Sequence, residues 1–74
     1  MPDLPPIAGV TALRVFEKVG FQLVDLTEHH WILRNRYQPD RLMTVLHHPR
    51  LSKGLLRNLI YESGLTQREF LFLL

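Results

Sequence analysis

The chain contains no cysteine, and this absence excludes several classes of protein at once. Disulfide scaffolds, zinc sites with thiolate ligands and enzymes with a cysteine nucleophile all require that residue. No apolar run approaches the roughly 20 residues of a transmembrane helix, and residues 1–6 lack the positive start and apolar stretch of a signal peptide. Because a chain without disulfides also fits a reducing compartment, we expect a cytoplasmic protein with no membrane segment.

Motifs for phosphate or metal binding are missing as well. There is no glycine-rich phosphate loop and no paired-ligand zinc signature. The four histidines form two adjacent pairs, residues 29–30 and 47–48. Neighbouring residues on a strand point to opposite faces, so each pair would be a poor chelate. We therefore expect no metal ion and no other cofactor.

Composition and charge are those of a small folded domain with a mild basic excess. The 74 residues are enough for one domain, 1–74, and the 46% apolar share is enough for a small core. The net charge is +2 with neutral histidines. Such an excess suits a nucleic acid or an acidic protein partner, although many ordinary domains share it.

The first part of the chain predicts an extended segment followed by a helix. Proline disfavours helix at the residue before it, so residues 1–6 are expected to be extended. Residues 9–19 have helical periodicity, and Gly20 follows where a left-handed C-cap is easiest for glycine. The apolar positions that share one face of this helix are Ala12, Leu13, Phe16 and Val19.

Three strands are predicted in the middle of the chain. Residues 21–26, 29–34 and 41–46 are rich in apolar and β-branched residues. Short loops separate them, which favours an antiparallel meander.

Two helices are predicted after the strands. Ser52 is a good N-cap type and Gly64 is a helix stop. Thr66 and Glu69 have the spacing of a capping box that opens a last short helix. The resulting order, α-β-β-β-α-α, predicts an α+β fold in which helices cover one face of a three-stranded antiparallel sheet and leave the other face open.

The second strand carries the most promising chemistry. Strand alternation places His30 and Ile32 on one face and His29, Trp31 and Leu33 on the other. A positioned imidazole can accept or donate a proton near neutral pH. His30 is thus a candidate catalytic residue. The alternative is that His29 and His30 are exposed residues at a strand end with no catalytic role.

The end of the chain is more apolar than a short exposed helix requires. Residues 70–74 are all apolar, and one helix cannot turn all of them inward. Some of them must be exposed or covered by another chain, which predicts self-association or a protein partner at this end.

Several short motifs occur in a characteristic order along residues 4–74. Gly20 and Phe21 precede the EHHWILR segment of residues 28–34. Further along come Val45-Leu46-His47-His48, Leu51, Lys53-Gly54-Leu55-Leu56-Arg57, Gly64-Leu65-Thr66 and Glu69-Phe70. In order and spacing, these motifs resemble those of the HicA (YcfA-like) ribonuclease toxins of bacterial toxin–antitoxin pairs.

The resemblance implies a fold like that of a double-stranded-RNA-binding domain. It also implies mRNA cleavage without a required metal, silenced by a HicB-type antitoxin. His30 matches the family's catalytic histidine, and His48 matches its second histidine and is a possible second proton-transfer group. On charge and position, the candidates for RNA phosphate contacts are Arg34, Lys53 and Arg57.

The chain departs from the family pattern at three places. Glu28 and His29 stand where the family has Gly-Ser, Leu46 replaces a strand-end proline, and Leu55 replaces a helix-start threonine. A carboxylate beside the catalytic position would repel an RNA phosphate. The alternative function is therefore a catalytically weakened module of the same fold that binds RNA or the antitoxin.

Overall fold

The computed structural model describes residues 4–74 and contains three helices and three strands. In chain order these are α1 (Gly9–Lys18), β1 (Phe21–Leu26), β2 (His30–Asn35), β3 (Leu42–Leu46), α2 (Lys53–Ser63) and α3 (Gln67–Leu73). The predicted α-β-β-β-α-α order is confirmed, and the bounds of β2 and β3 differ from the prediction by one residue. Of the predicted extended segment, residues 1–3 lie outside the described residues, and residues 4–8 form neither helix nor strand.

The helix ends follow local sequence signals. Gly20 (φ +103°) and Gly64 (φ +85°) both adopt left-handed conformations, which glycine reaches without a Cβ penalty. The hydroxyl of Ser52 accepts the N–H of Leu55 at 3.2 Å and caps α2. Both glycine stops and the Ser52 cap are therefore confirmed.

The last helix begins with the predicted capping box. The hydroxyl of Thr66 accepts the N–H of Glu69, and the carboxylate of Glu69 accepts the N–H of Thr66, each at 3.0 Å. The hydrogen bond from the Thr66 N–H, with a smaller contribution from the Thr66 side chain, lowers the pKa of the Glu69 carboxyl because it favours the charged form.

The three strands form one antiparallel sheet in the order β1-β2-β3. Leu33 of β2 pairs with Leu23 of β1 and with Met43 of β3. The register of β1 shifts between Leu23 and Asp25, so residue 24 is a bulge that the sequence pattern did not indicate. After the bulge, Leu26 lies opposite Trp31 on the face that carries Leu33.

Burial separates the two faces of the sheet. Leu33, Met43 and Val45 are buried, whereas their strand neighbours Arg34 and Thr44 are exposed. Because α1 and α2 both contact β3 and contribute to the same core, the helices lie on the face of the buried residues. The other face is open to solvent, as predicted, and it carries His30, Ile32 and Arg34.

The core is larger than the predicted helix faces. Phe16 of α1 packs against Phe21 at 6.2 Å and against Phe70 of α3 at 5.7 Å between ring centroids. Val15, which was not predicted to be buried, is also in the core because α1 contacts α3 as well as the sheet. Within residues 4–74, no helix has the length and apolar character needed to cross a membrane.

Candidate functional site

Two segments bring all four histidines to one end of the sheet. We call this the histidine end and define it as residues 27–30 together with residues 46–48. His30 pairs with Leu46 across β2 and β3, and the N–H of His47 donates to the carbonyl of His29 at 2.7 Å. The antiparallel register thus places the two histidine pairs side by side.

Thr27 holds the backbone of His30 in place. Its N–H and its hydroxyl both donate to the carbonyl of His30, at 2.9 and 3.2 Å. The same hydroxyl oxygen lies 3.1 Å from the His30 N–H, which it can accept. Thr27 was not among the predicted site residues; a threonine three residues before a strand histidine is the signal that could have identified it.

The imidazole of His30 is exposed on the open face. Among residues 4–74, it makes no hydrogen bond to another group of the chain. A fixed backbone with an uncommitted imidazole gives a proton-transfer group that is positioned and accessible to a ligand.

His48 is turned toward its own loop. Its Nδ1 lies 3.0 Å from the N–H of Arg50 and 2.8 Å from the carbonyl of the same residue. The first contact suits the tautomer with its proton on Nε2, and the second suits the tautomer with its proton on Nδ1. In both tautomers Nδ1 forms a hydrogen bond within the loop before α2, and Nε2 is available for proton transfer. His48 can therefore stabilise the loop and also act as a proton-transfer group.

Glu28 approaches His29 rather than His30. Its Oε1 lies 3.9 Å from His29 Nε2, and both side chains are exposed, at 87% and 70%. Glu28 would share a face with His30 only if the strand began early, but β2 begins at His30. The carboxylate therefore adds negative charge beside the candidate site without direct contact to His30.

His47 stacks on Trp31. Their ring centroids are 4.4 Å apart and the rings are tilted by 35°. Strand alternation placed Trp31 on the same face as Leu33, but no sequence pattern indicated its contact with His47. Their pairing follows from the strand register, because Trp31 lies opposite Val45 and His47 is the next residue on that face.

The three candidate phosphate-binding cations do not form one patch. Arg34 is on the open face, four residues after His30, or about 13 Å along an ideal strand. Lys53 and Arg57 belong to α2, in the helix layer on the opposite face. Lys53 begins α2, five residues after His48, so it is nearer to the histidine end along the chain than Arg57 is.

The described part of the chain, residues 4–74, contains no group of three histidine, aspartate or glutamate side chains that could hold a metal ion. No protein-family model matches this chain, and no curated protein matches it. The resemblance to the HicA toxins therefore depends on the motifs in the sequence.

Proposed function

We propose that this chain is a HicA-like toxin, an endoribonuclease that cleaves mRNA in the cytoplasm without a metal ion and is neutralised by a HicB-type antitoxin. His30 is its general acid or base. The observation that supports this most is the state of His30: its backbone is fixed by Thr27, while its imidazole is exposed and uncommitted.

The reaction requires two proton transfers, one from the ribose 2′-hydroxyl and one to the leaving 5′-oxygen. The ribose 2′-oxygen attacks the adjacent phosphorus, a P–O2′ bond forms, and the P–O5′ bond breaks. The products are a 2′,3′-cyclic phosphate and a free 5′-hydroxyl. His30 either accepts the 2′-hydroxyl proton or donates a proton to the leaving 5′-oxygen, and His48 Nε2 is the candidate for the other transfer.

Cations would hold the RNA backbone around this step. Lys53 and Arg57 on α2 and Arg34 on the open face are the proposed phosphate contacts. Because Arg34 and α2 lie on different layers, RNA that contacts all three must cross an end or an edge of the sheet. A flexible single strand can follow such a path more easily than a rigid duplex, so we propose single-stranded mRNA as the substrate.

The test is single-turnover cleavage of an unstructured, end-labelled RNA in the presence of a chelator. His30→Ala is expected to slow cleavage by about 100- to 10,000-fold, the usual contribution of a general acid or base. His29→Ala is the matched control, since it removes the neighbouring imidazole from the opposite face and is expected to have a much smaller effect. Loss of activity in His29→Ala with retention in His30→Ala would show that the residue match to the family is displaced by one position.

The alternative function is a binding module with weakened catalysis. The observation in its favour is the Glu28 carboxylate beside His29, at the place where an RNA phosphate would approach. On this alternative, the wild-type chain retains RNA or antitoxin in a pull-down but leaves the labelled RNA intact.

We also propose that the apolar C-terminal segment associates with a second copy of the chain. Phe70 is buried, but Phe72 is 86% exposed and Leu74 is 45% exposed. Phe72→Ser is expected to reduce self-association in sedimentation velocity, whereas Leu26→Ser, at an exposed leucine of β1, is expected to have little effect. A monomeric wild-type chain at all accessible concentrations would contradict this proposal.

A further inference from the structure

The stack of Trp31 and His47 is built on a fixed platform. Trp31 is half-buried and packs against the core. Its Cζ3 atom is so close to Gly9 that a Cβ at that position would lie 3.3 Å from it. These contacts keep the indole from turning away, so it is a rigid support for the ring of His47.

The imidazole of His47 lies over this support, tilted by 35° from the indole plane, and is accessible. Its backbone N–H donates to His29 across the strand pair, which fixes the start of the side chain. The ring is 4.4 Å from the Trp31 ring, and the residue as a whole is exposed to solvent. One face of the imidazole is therefore supported by Trp31, and an exposed side is left for a further planar group.

The stack is adjacent to His30. Because His30 pairs with Leu46, its Cα lies about 6 Å from that of His47 in an ideal antiparallel pair. The side chains of His30 and His47 project from opposite faces of the sheet. In a nucleotide the phosphate and the base are joined through the ribose, so RNA that crosses this end can present a phosphate to one side and a base to the other.

The cations that follow His47 along the chain favour a nucleic acid over an apolar peptide, whereas Glu28, beside His29, carries the opposite charge. The segment after His47 contains Arg50, and α2 begins with Lys53. We propose that Trp31 and His47 form a nucleobase-binding subsite that stacks one base of single-stranded RNA. This inference depends on the proposed function for the position of the scissile phosphate, but base binding can be measured without cleavage.

The subsite is expected to bind bases with little sequence preference. Stacking uses the flat face that every base has, and the ring nitrogens of Trp31 and His47 lie in the planes of their own rings rather than at the edge of a base stacked on them. Base binding then requires the planar ring of His47 and not its ability to transfer a proton. Replacing His47 by another residue with a planar ring should preserve RNA binding, and replacing it by a small residue should weaken RNA binding.

The only tryptophan of the chain is Trp31, so its fluorescence reports on this subsite directly. We suggest titrating the His30→Ala protein, which keeps the RNA intact, with a short single-stranded RNA and with the same RNA carrying abasic positions. The intact RNA is expected to change the Trp31 emission and to bind at least about fivefold more tightly than the abasic RNA.

Substitutions of His47 separate stacking from a general loss of structure. His47→Ala is expected to weaken binding about tenfold, whereas His47→Phe is expected to bind nearly as well as the parent. Tyr61→Ala is the matched control, because it removes an exposed aromatic ring from α2, outside the histidine end. Far-ultraviolet circular dichroism of each variant checks that the fold is retained.

The outcomes distinguish this inference from the proposed function. RNA binding that depends on His47, together with no RNA cleavage by the wild-type chain, supports the subsite and contradicts the nuclease. Cleavage with equal affinity of the parent, His47→Ala and His47→Phe overturns the subsite alone. If His47→Ala binds RNA normally but fails to retain a protein partner, the stack is a protein contact and the inference is wrong.

Discussion

The two ends of the sheet use their polar side chains differently. We call the end opposite the histidine end the arginine end and define it as residues 35–41 with residue 62 of α2. There Arg41 donates to the carbonyl of Glu62 at 2.6 Å, close to the C-terminus of α2. The Asn35 side-chain oxygen accepts the N–H groups of Tyr37 and Gln38, at 2.8 and 3.2 Å.

At the histidine end, the side chains are less committed to the fold. The hydroxyl of Thr27 bonds to the backbone of His30, but among the four imidazoles of the described residues only that of His48 is hydrogen-bonded, through Nδ1. Polar groups that stabilise a fold have their partners within the chain, as those of Arg41 and Asn35 do. Groups that are available to a ligand lack such partners, which is why the histidine end is the site that we propose.

The largest expected effect on stability is that of Gly9→Ala, which disturbs the close packing at the histidine end. A Cβ at Gly9 would clash with the carbonyl oxygen of Leu46, and the Gly9 N–H donates to the carbonyl of His48 at 2.8 Å. Moving this backbone is expected to cost about 1–3 kcal/mol of unfolding free energy, measured by urea denaturation.

Gly54→Ala is the matched control for that substitution. Gly54 is also helical, but a Cβ there has open space around it. Alanine is the better helix former, so this variant is expected to gain up to about 1 kcal/mol of stability. If Gly9→Ala stabilised the protein as Gly54→Ala is expected to, α1 would be able to move away from Leu46 without a loss of stability.

Thr27→Val is expected to reduce both stability and cleavage. It keeps the shape of the side chain but removes the hydroxyl that bonds to His30, with an expected cost of about 1 kcal/mol. Because His30 is then less well positioned, kcat is expected to fall several-fold with little change in KM, and Thr27→Ser should restore it. An unchanged kcat would show that Thr27 has a structural role only.

Arg41→Ala tests the arginine end. It removes a cation from the carbonyl groups at the C-terminus of α2, with an expected loss of about 0.5–1 kcal/mol. The cleavage rate, measured where the variant is fully folded, should not change, because the substitution leaves the histidine end intact. A slower cleavage rate under conditions where the variant is fully folded would contradict this division between the two ends.

The smallest expected effect is that of Glu28→Gln on cleavage. Removing the carboxylate reduces the repulsion of RNA phosphate, but Glu28 is exposed and well screened. We expect an increase of at most about fivefold, visible at low salt and absent at high salt. A rate that is unchanged at low salt would exclude Glu28 from any role in the site.

Local sequence signals were sufficient for most of the secondary structure. The stops at Gly20 and Gly64, the Ser52 cap and the capping box of Thr66 each depend on conformations or hydrogen bonds within a few residues. The same is true of strand alternation, which placed His30 and Leu33 on opposite faces. Such features can be predicted because the groups that interact are close in the sequence.

The remaining features depend on residues that are distant in the sequence. The bulge in β1 depends on its register with β2, the burial of Val15 on the contact between α1 and α3, and the stack of Trp31 and His47 on the pairing of β2 with β3. No local pattern specifies these contacts, since each is chosen by the packing of whole elements around one core. The sequence alone therefore determined which elements form and which histidine faces the open side, and the tertiary structure decided what surrounds that histidine.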